Sequence, residues 1–123
     1  MRLNFTARPT MKNGLYSLRI EMLDGVQGVN TGVIMLRDGS IRGGDSIFYY
    51  VGSYSFADGK WKGELLNREH VPSYGTRPVF GRHDVGIGFS GTYGEDGAEA
   101  EATALAGKQS IRFKAALRLL VVD

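Results

Sequence analysis

The chain contains no cysteine and only three prolines among its 123 residues. Without thiols there are no disulfides, no cysteine-ligated metal sites and no thiol nucleophiles, and the composition fits a reducing compartment such as the cytoplasm. No apolar run reaches the roughly 18 residues that a membrane span needs, and the first residues lack the apolar core of a signal peptide. We therefore expect a soluble, cytoplasmic protein with no membrane partner.

The chain also has no large excess of either acidic or basic residues. The chain has 15 basic and 13 acidic residues, so its formal net charge is only +2. Proteins that bind nucleic acid usually carry a clear basic patch or stripe. This balance argues against direct binding to nucleic acid.

Glycine, in contrast, is abundant, with 18 residues. Two Asp-Gly steps, Asp38-Gly39 and Asp58-Gly59, lie between β-rich segments and supply the positive φ values of tight hairpin turns. A glycine pair, Gly43-Gly44, interrupts the run from Ser40 to Val51, which predicts a bulge or a sharp bend within that strand. These glycines mark the turns and bends of a sheet.

Most other segments alternate apolar and polar residues with the two-residue period of a strand. The clearest runs start at Gly14, Gly32, Trp61, Val85 and Ala98, and the most amphipathic run follows Gln109. The run from Ile47 to Val51 is apolar throughout, which is typical of a strand with apolar surroundings on both faces or of a strand in a barrel wall. The aperiodic segment from Arg68 to Pro78 predicts a long connection. Helix propensity leaves a helical alternative open for residues 98–106 and 115–120.

About eight short strands joined by glycine-containing turns predict an all-β fold. We expect an antiparallel up-and-down barrel, because closure removes the exposed edges of such a sheet. Residues 1–10 lack a period and are predicted to form a flexible N-terminal tail, and residues 11–123 a single β-barrel domain.

Four strings in the first half of the chain resemble the GrlR-like family: GLY at 14–16, GVNTGVIMLRDG at 28–39, GGDS at 43–46 and YYVGSY at 49–54. The family is named after a negative regulator of type III secretion. The resemblance implies a lipocalin-like barrel, a homodimer, and a non-enzymatic role in which the protein binds and sequesters a transcriptional activator.

An acidic patch is the candidate for binding such a partner. It contains Glu95, Asp96, Glu99 and Glu101. In the founding regulator a continuous Glu-Asp-Glu-Asp loop is implicated in partner binding, whereas here Gly97-Ala98 interrupts the acidic residues. The patch is either a docking site for a basic partner helix or an ordinary solvated hairpin.

The aromatic residues leave a second function open, in which the barrel carries a small apolar ligand. Side chains nearly fill a barrel of about eight strands, so the aromatics form either a packed core or the lining of a cavity. Gly86 and Gly88 alternate with apolar residues and favour a cavity, because they leave space for a ligand. The candidate lining residues are Phe48, Tyr50, Trp61 and Phe89.

The last strand is apolar on both faces near the chain end. Its residues Leu119, Leu120 and Val122 are candidates for the surface of a homodimer, because an exposed apolar patch favours self-association.

No motif predicts a catalytic residue, a metal ligand or a cofactor. His70 and His83 lie beside Glu69 and Asp84, but neither pair has a recognised metal-ligand spacing. Asp45, after the glycine pair, is predicted to cap free backbone N–H groups. We therefore expect a protein that is not an enzyme.

Overall fold

Eight antiparallel β-strands form a closed barrel in the computed structural model, which describes residues 10–23, 29–71 and 84–123. Each strand pairs with its neighbours in sequence, and β8 closes the barrel against β1. The strands are β1 Gly14–Met22, β2 Val29–Arg37, β3 Ser40–Gly44, β4 Phe48–Ala57, β5 Lys60–Glu69, β6 Asp84–Tyr93, β7 Gly97–Ala106 and β8 Gln109–Val122. The predicted up-and-down barrel, with its lipocalin-like architecture, is confirmed.

Both predicted Asp-Gly hairpins are present. Asp38 and Gly39 have φ values of 48° and 85°, and Asp58 and Gly59 have φ values of 53° and 82°. Positive φ at both central positions gives a turn whose twist matches that of the flanking strands. These turns connect β2 to β3 and β4 to β5.

The prediction of a bulge or bend at Gly43-Gly44 was wrong. The two glycines end β3, and the chain reverses through Asp45 into β4, so that Gly44 pairs with Tyr49 and Gly43 with Tyr50. The run that looked like one bent strand is therefore a hairpin of two strands.

The strands show one buried and one exposed face throughout the barrel. Phe48 and Tyr50 are buried, whereas Tyr49 and Val51 are each 37% exposed, so of the two interpretations of this run the strand in a barrel wall is the correct one. On β7 the inward residues are four alanines, which thin that wall of the barrel: Ala98, Ala100, Ala102 and Ala104. The helical alternatives for β7 and β8 were wrong, because both segments pair as strands over their length.

Two predicted boundaries concern the end of β5 and the N-terminal tail. Strand β5 continues to Glu69, so Arg68 and Glu69 belong to a strand and not to a long connection. Residues 1–9, which make up most of the predicted tail, lie outside the described residues. Met11 is only 2% exposed, so the packed domain includes the residues just before β1.

Candidate functional site

Three hairpin turns form the rim at one end of the barrel. They are the turns between β2 and β3, between β4 and β5, and between β6 and β7. Backbone hydrogen bonds tie each turn to a later strand: Tyr54 N–H donates to Gly39, Tyr93 N–H to Gly59, and Leu119 N–H to Asp96. We call this rim the acidic end, defined by residues 38–39, 58–59 and 94–96, because each turn carries at least one carboxylate.

The carboxylates of the acidic end are those of Asp38, Asp58, Glu95 and Asp96, and all four residues are exposed. Asp38 accepts a hydrogen bond from Asn13 Nδ2 at 2.9 Å. Glu95 and Asp96 make no side-chain hydrogen bond or ion pair within the described part of the chain. Only the closed barrel brings these turns together, because they are separated by about 20 to 57 residues in sequence.

An aromatic side chain lies among these turns. Phe56 is the second-last residue of β4 and remains 38% exposed. Its ring stacks on Tyr54 at 6.4 Å and meets Tyr93 edge to face at 5.6 Å. Such packing holds an exposed ring in place, as is common for the aromatic anchors of protein interfaces.

The predicted acidic patch is divided between two surfaces. Glu95 and Asp96 belong to the acidic end, whereas Glu99 and Glu101 are exposed on the outer wall of β7. Glu101 pairs in register with Lys114 of β8, and Glu99 pairs with Ala116. This basic neighbour partly offsets the negative charge of the wall, because opposite charges on adjacent strands attract each other.

The barrel interior contains a cavity of about 50 Å³. Tyr50, Trp61 and Phe89 line it, as predicted, but Phe48 does not. Gly86 and Gly88 do not enlarge this cavity, because they alternate with the inward residues of β6 and face outward. The packed aromatic and aliphatic side chains occupy most of the interior, and the space that is left is far smaller than a usual ligand pocket of about 300 Å³ or more.

One polar side chain lies in this apolar lining. Asn67 on β5 is 4% exposed and pairs in register with Tyr50, which also lines the cavity. Asn67 Nδ2 is buried without a hydrogen-bond partner among the described residues. The amide therefore gives one end of the cavity a free hydrogen-bond donor.

At the other end of the cavity, the side chain of Trp61 on β5 crosses β6 and reaches β7. Its Nε1 donates to the carbonyl oxygen of Glu99 at 3.0 Å, although β6 lies between β5 and β7. The residue of β6 at this level is Gly91, which pairs with both Trp61 and Ala100. The lack of a side chain at Gly91 allows the indole to reach the third strand.

Asp45 caps the hairpin between β3 and β4, as predicted. Its Oδ1 accepts from the backbone N–H groups of Ile47 and Phe48, each at 2.8 Å, and its Oδ2 accepts from the Tyr50 hydroxyl at 2.6 Å. Burial, together with this hydrogen bond to Asp45, raises the pKa of Tyr50 far above its ordinary value. Tyr50 is therefore a fixed hydrogen-bond donor, which favours a structural role for the pair.

The candidate dimer residues differ in their surroundings. Leu120 and Val122 are 44% and 57% exposed, and Val121 beside them is also exposed. Leu119 is part of the inward face and packs against the core, so the prediction that it belongs to a surface was wrong. The exposed apolar patch is therefore formed by residues 120–122.

The histidines do not converge on a site in the described residues. His70 Nε2 donates to the carbonyl oxygen of Asp45 at 3.0 Å, and His83 lies outside the described residues. No group of three or more metal-ligating side chains occurs in residues 10–23, 29–71 and 84–123. Those residues also contain no helix that is long and apolar enough to cross a membrane.

No family model and no curated protein matches the chain.

Sequence reasoning missed four residues of these sites, which are Asp38, Asp58, Phe56 and Asn67. Asp38 and Asp58 were interpreted only as turn residues, although their charges lie on the same rim as Glu95 and Asp96. Asn67 gave a usable signal, since it occupies an inward position of the alternating pattern of β5, where polar residues are uncommon.

Proposed function

We propose that this protein is a non-enzymatic, cytoplasmic regulator that captures a basic protein partner at the acidic end of its barrel. The resemblance to the GrlR-like family suggests the class of partner, a transcriptional activator, and a link to type III secretion. The observation that carries the proposal is the gathering of carboxylates from three turns on one rim of the barrel, which also carries the exposed ring of Phe56.

The two components of this surface act on different stages of binding. Exposed carboxylates on one rim attract a basic partner from a distance and increase the rate of encounter, and this effect weakens as salt screens the charges. Phe56 supplies apolar area that stabilises the bound complex and slows dissociation. Partner binding at the acidic end should therefore depend on both charge and the aromatic ring.

The acidic end and the wall of β7 can be tested separately. One variant neutralises the end with Asp38→Asn, Asp58→Asn, Glu95→Gln and Asp96→Asn. The matched variant neutralises the wall with Glu99→Gln and Glu101→Gln. Asparagine tolerates the positive φ of Asp38 and Asp58, so the turns keep their conformation.

We expect pull-downs from the source cell lysate to retain a basic protein on the wild type and on the wall variant, but not on the end variant. With that protein purified, the end variant should bind at least about tenfold more weakly at low salt, since several charge pairs of a few tenths of a kcal/mol are lost. Phe56→Ala should speed dissociation. Equal retention by all variants, each with an unchanged unfolding temperature, would refute the role of the acidic end.

We also propose that the protein forms a homodimer through residues 120–122. These residues expose three adjacent apolar side chains on β8, at the level where a bulge shifts its register with β1. Leu120→Lys with Val122→Lys should convert a dimer into a monomer in sedimentation experiments, because charge repels charge across a two-fold interface. A wild type that sediments as a monomer at about 100 μM, well above the dissociation constant of a typical stable dimer, contradicts the proposal.

A further inference from the structure

We propose that the barrel cavity is a binding site for a small, neutral molecule with a carbonyl group, whose oxygen accepts a hydrogen bond from Asn67 Nδ2. This inference does not depend on the protein-binding role, which uses the outer rim. It rests on the cavity, on the burial of Asn67 and on the chemistry of the other lining residues.

The free donor is the first reason. Asn67 is more than nine-tenths buried, lines the cavity, and has no partner for Nδ2 among the described residues. A buried amide without a partner costs free energy, and most buried polar groups in proteins are satisfied. A ligand that accepts this hydrogen bond recovers that cost on binding.

The surroundings define the class of ligand. The lining is otherwise made of aliphatic and aromatic side chains, such as Leu18, Ile87 and Phe113, and it includes no charged residue. Burial of a carboxylate without a cation is strongly unfavourable. The site therefore favours a neutral carbonyl compound over a fatty acid. This class of ligand is more specific than the small apolar ligand that the sequence left open.

Size limits the ligand further. An apolar cavity of about 150 Å³ in another protein holds one benzene molecule, whereas this cavity measures about 50 Å³. A ligand of about four or five heavy atoms therefore requires the lining to move outward. The smallest side chains of the lining are those of Ala100, Ala102 and Ala115.

Tyr50 is the lining residue with a hydroxyl group, and this hydroxyl does not supply the donor. Tyr50 and Asn67 are register partners, and the Tyr50 hydroxyl already donates its proton in a hydrogen bond to Asp45 Oδ2. The donor available to a ligand is therefore the Asn67 amide, which makes the proposal specific to one residue.

The experiment compares two molecules of the same shape. Butanone carries the carbonyl oxygen, and 2-methyl-1-butene carries a methylene group in its place. Each is titrated into ¹⁵N-labelled protein, and binding is followed through the side-chain amide signals of Asn67 and the indole signal of Trp61. The titrations are repeated with Asn67→Leu, which keeps the number and branching of the side-chain heavy atoms but removes the polar groups, after its fold has been checked by circular dichroism.

We expect the wild type to bind butanone about tenfold more tightly than the alkene, and to show a shift of the Asn67 amide signals at saturation. In Asn67→Leu the preference for butanone should disappear or reverse, because desolvation of the alkene costs less free energy than desolvation of the ketone. The proposal is overturned if butanone causes no saturable shift in the wild type, which would indicate that only ordered water pairs with the amide. It is also overturned if Asn67→Leu keeps the preference.

Discussion

Replacing Gly91 with alanine is expected to destabilise the protein by about 3 kcal/mol, because the barrel wall has no space for one additional methyl group. A Cβ at this position would overlap the carbonyl oxygen of Glu99 and would lie 2.7 Å from the Cα of Ala100. Both atoms belong to the backbone of β7, which cannot move without disturbing its hydrogen bonds to β6 and β8. The same methyl group would stand in the path of the Trp61 indole toward Glu99, so that hydrogen bond should also weaken.

Gly88 provides the matched control on the same strand. A Cβ at Gly88 has no neighbouring atom within 4 Å, since this position faces outward. Gly88→Ala should leave stability unchanged or raise it by about 0.5 kcal/mol, because alanine reduces the entropy of the unfolded chain. Urea unfolding followed by Trp61 fluorescence measures both variants, and equal midpoints for Gly91→Ala and Gly88→Ala would show that this account of Gly91 is wrong.

The second large effect is expected at the opposite end of the barrel. Asp45→Ala should lower the free energy of unfolding by about 3 to 4 kcal/mol. The substitution removes the acceptor for the backbone N–H groups of Ile47 and Phe48, and it leaves the buried Tyr50 hydroxyl without a partner. Hydrogen bonds to a charged acceptor are the stronger kind, and a buried donor that loses its acceptor pays its full desolvation cost. The loss would be a large fraction of the stability of a typical domain, which is about 5 to 15 kcal/mol.

Asp96→Ala is the appropriate comparison, because it also removes a carboxylate from a hairpin turn. The Asp96 side chain is exposed and makes no hydrogen bond with the described residues. We expect a change of no more than about 0.5 kcal/mol for this variant. Asp45→Asn should fall between the two, since it keeps one acceptor oxygen but places an NH₂ group near the Tyr50 hydroxyl or the backbone amides. A value for Asp45→Ala within error of that for Asp96→Ala would contradict the capping role.

Local chemistry made much of the fold predictable. The steps at Asp38-Gly39 and Asp58-Gly59 predicted two hairpin turns, because few residues other than glycine, asparagine and aspartate adopt positive φ easily. Alternation predicted β1 and the later strands, because the side-chain period of two assigns each residue to one face. Capping by Asp45 was predictable because it is local: its partners Ile47 and Phe48 lie only two and three residues away in sequence.

The prediction at Gly43-Gly44 failed because a bent strand and a tight hairpin have similar local patterns. Both show a glycine pair between two β-rich runs, and only the pairing of Gly43 with Tyr50 distinguishes them. The run from Ile47 to Val51 left two interpretations open for a related reason. Hydrophobicity alone does not show that Tyr49 and Val51 face outward on a barrel wall, because many exposed residues of a folded protein are apolar.

The sequence by itself determined most of the strands, the two Asp-Gly hairpin turns and the cap at Asp45, since these depend on dihedral preferences and on contacts between residues close in the chain. Only the tertiary structure decided which surfaces exist. Closure of β8 against β1 brings the carboxylates of three turns to one rim with Phe56, leaves Glu99 and Glu101 on the wall, and buries Asn67 beside the cavity. These groupings depend on register between strands far apart in sequence, and a register is a property of the whole barrel and not of any one segment.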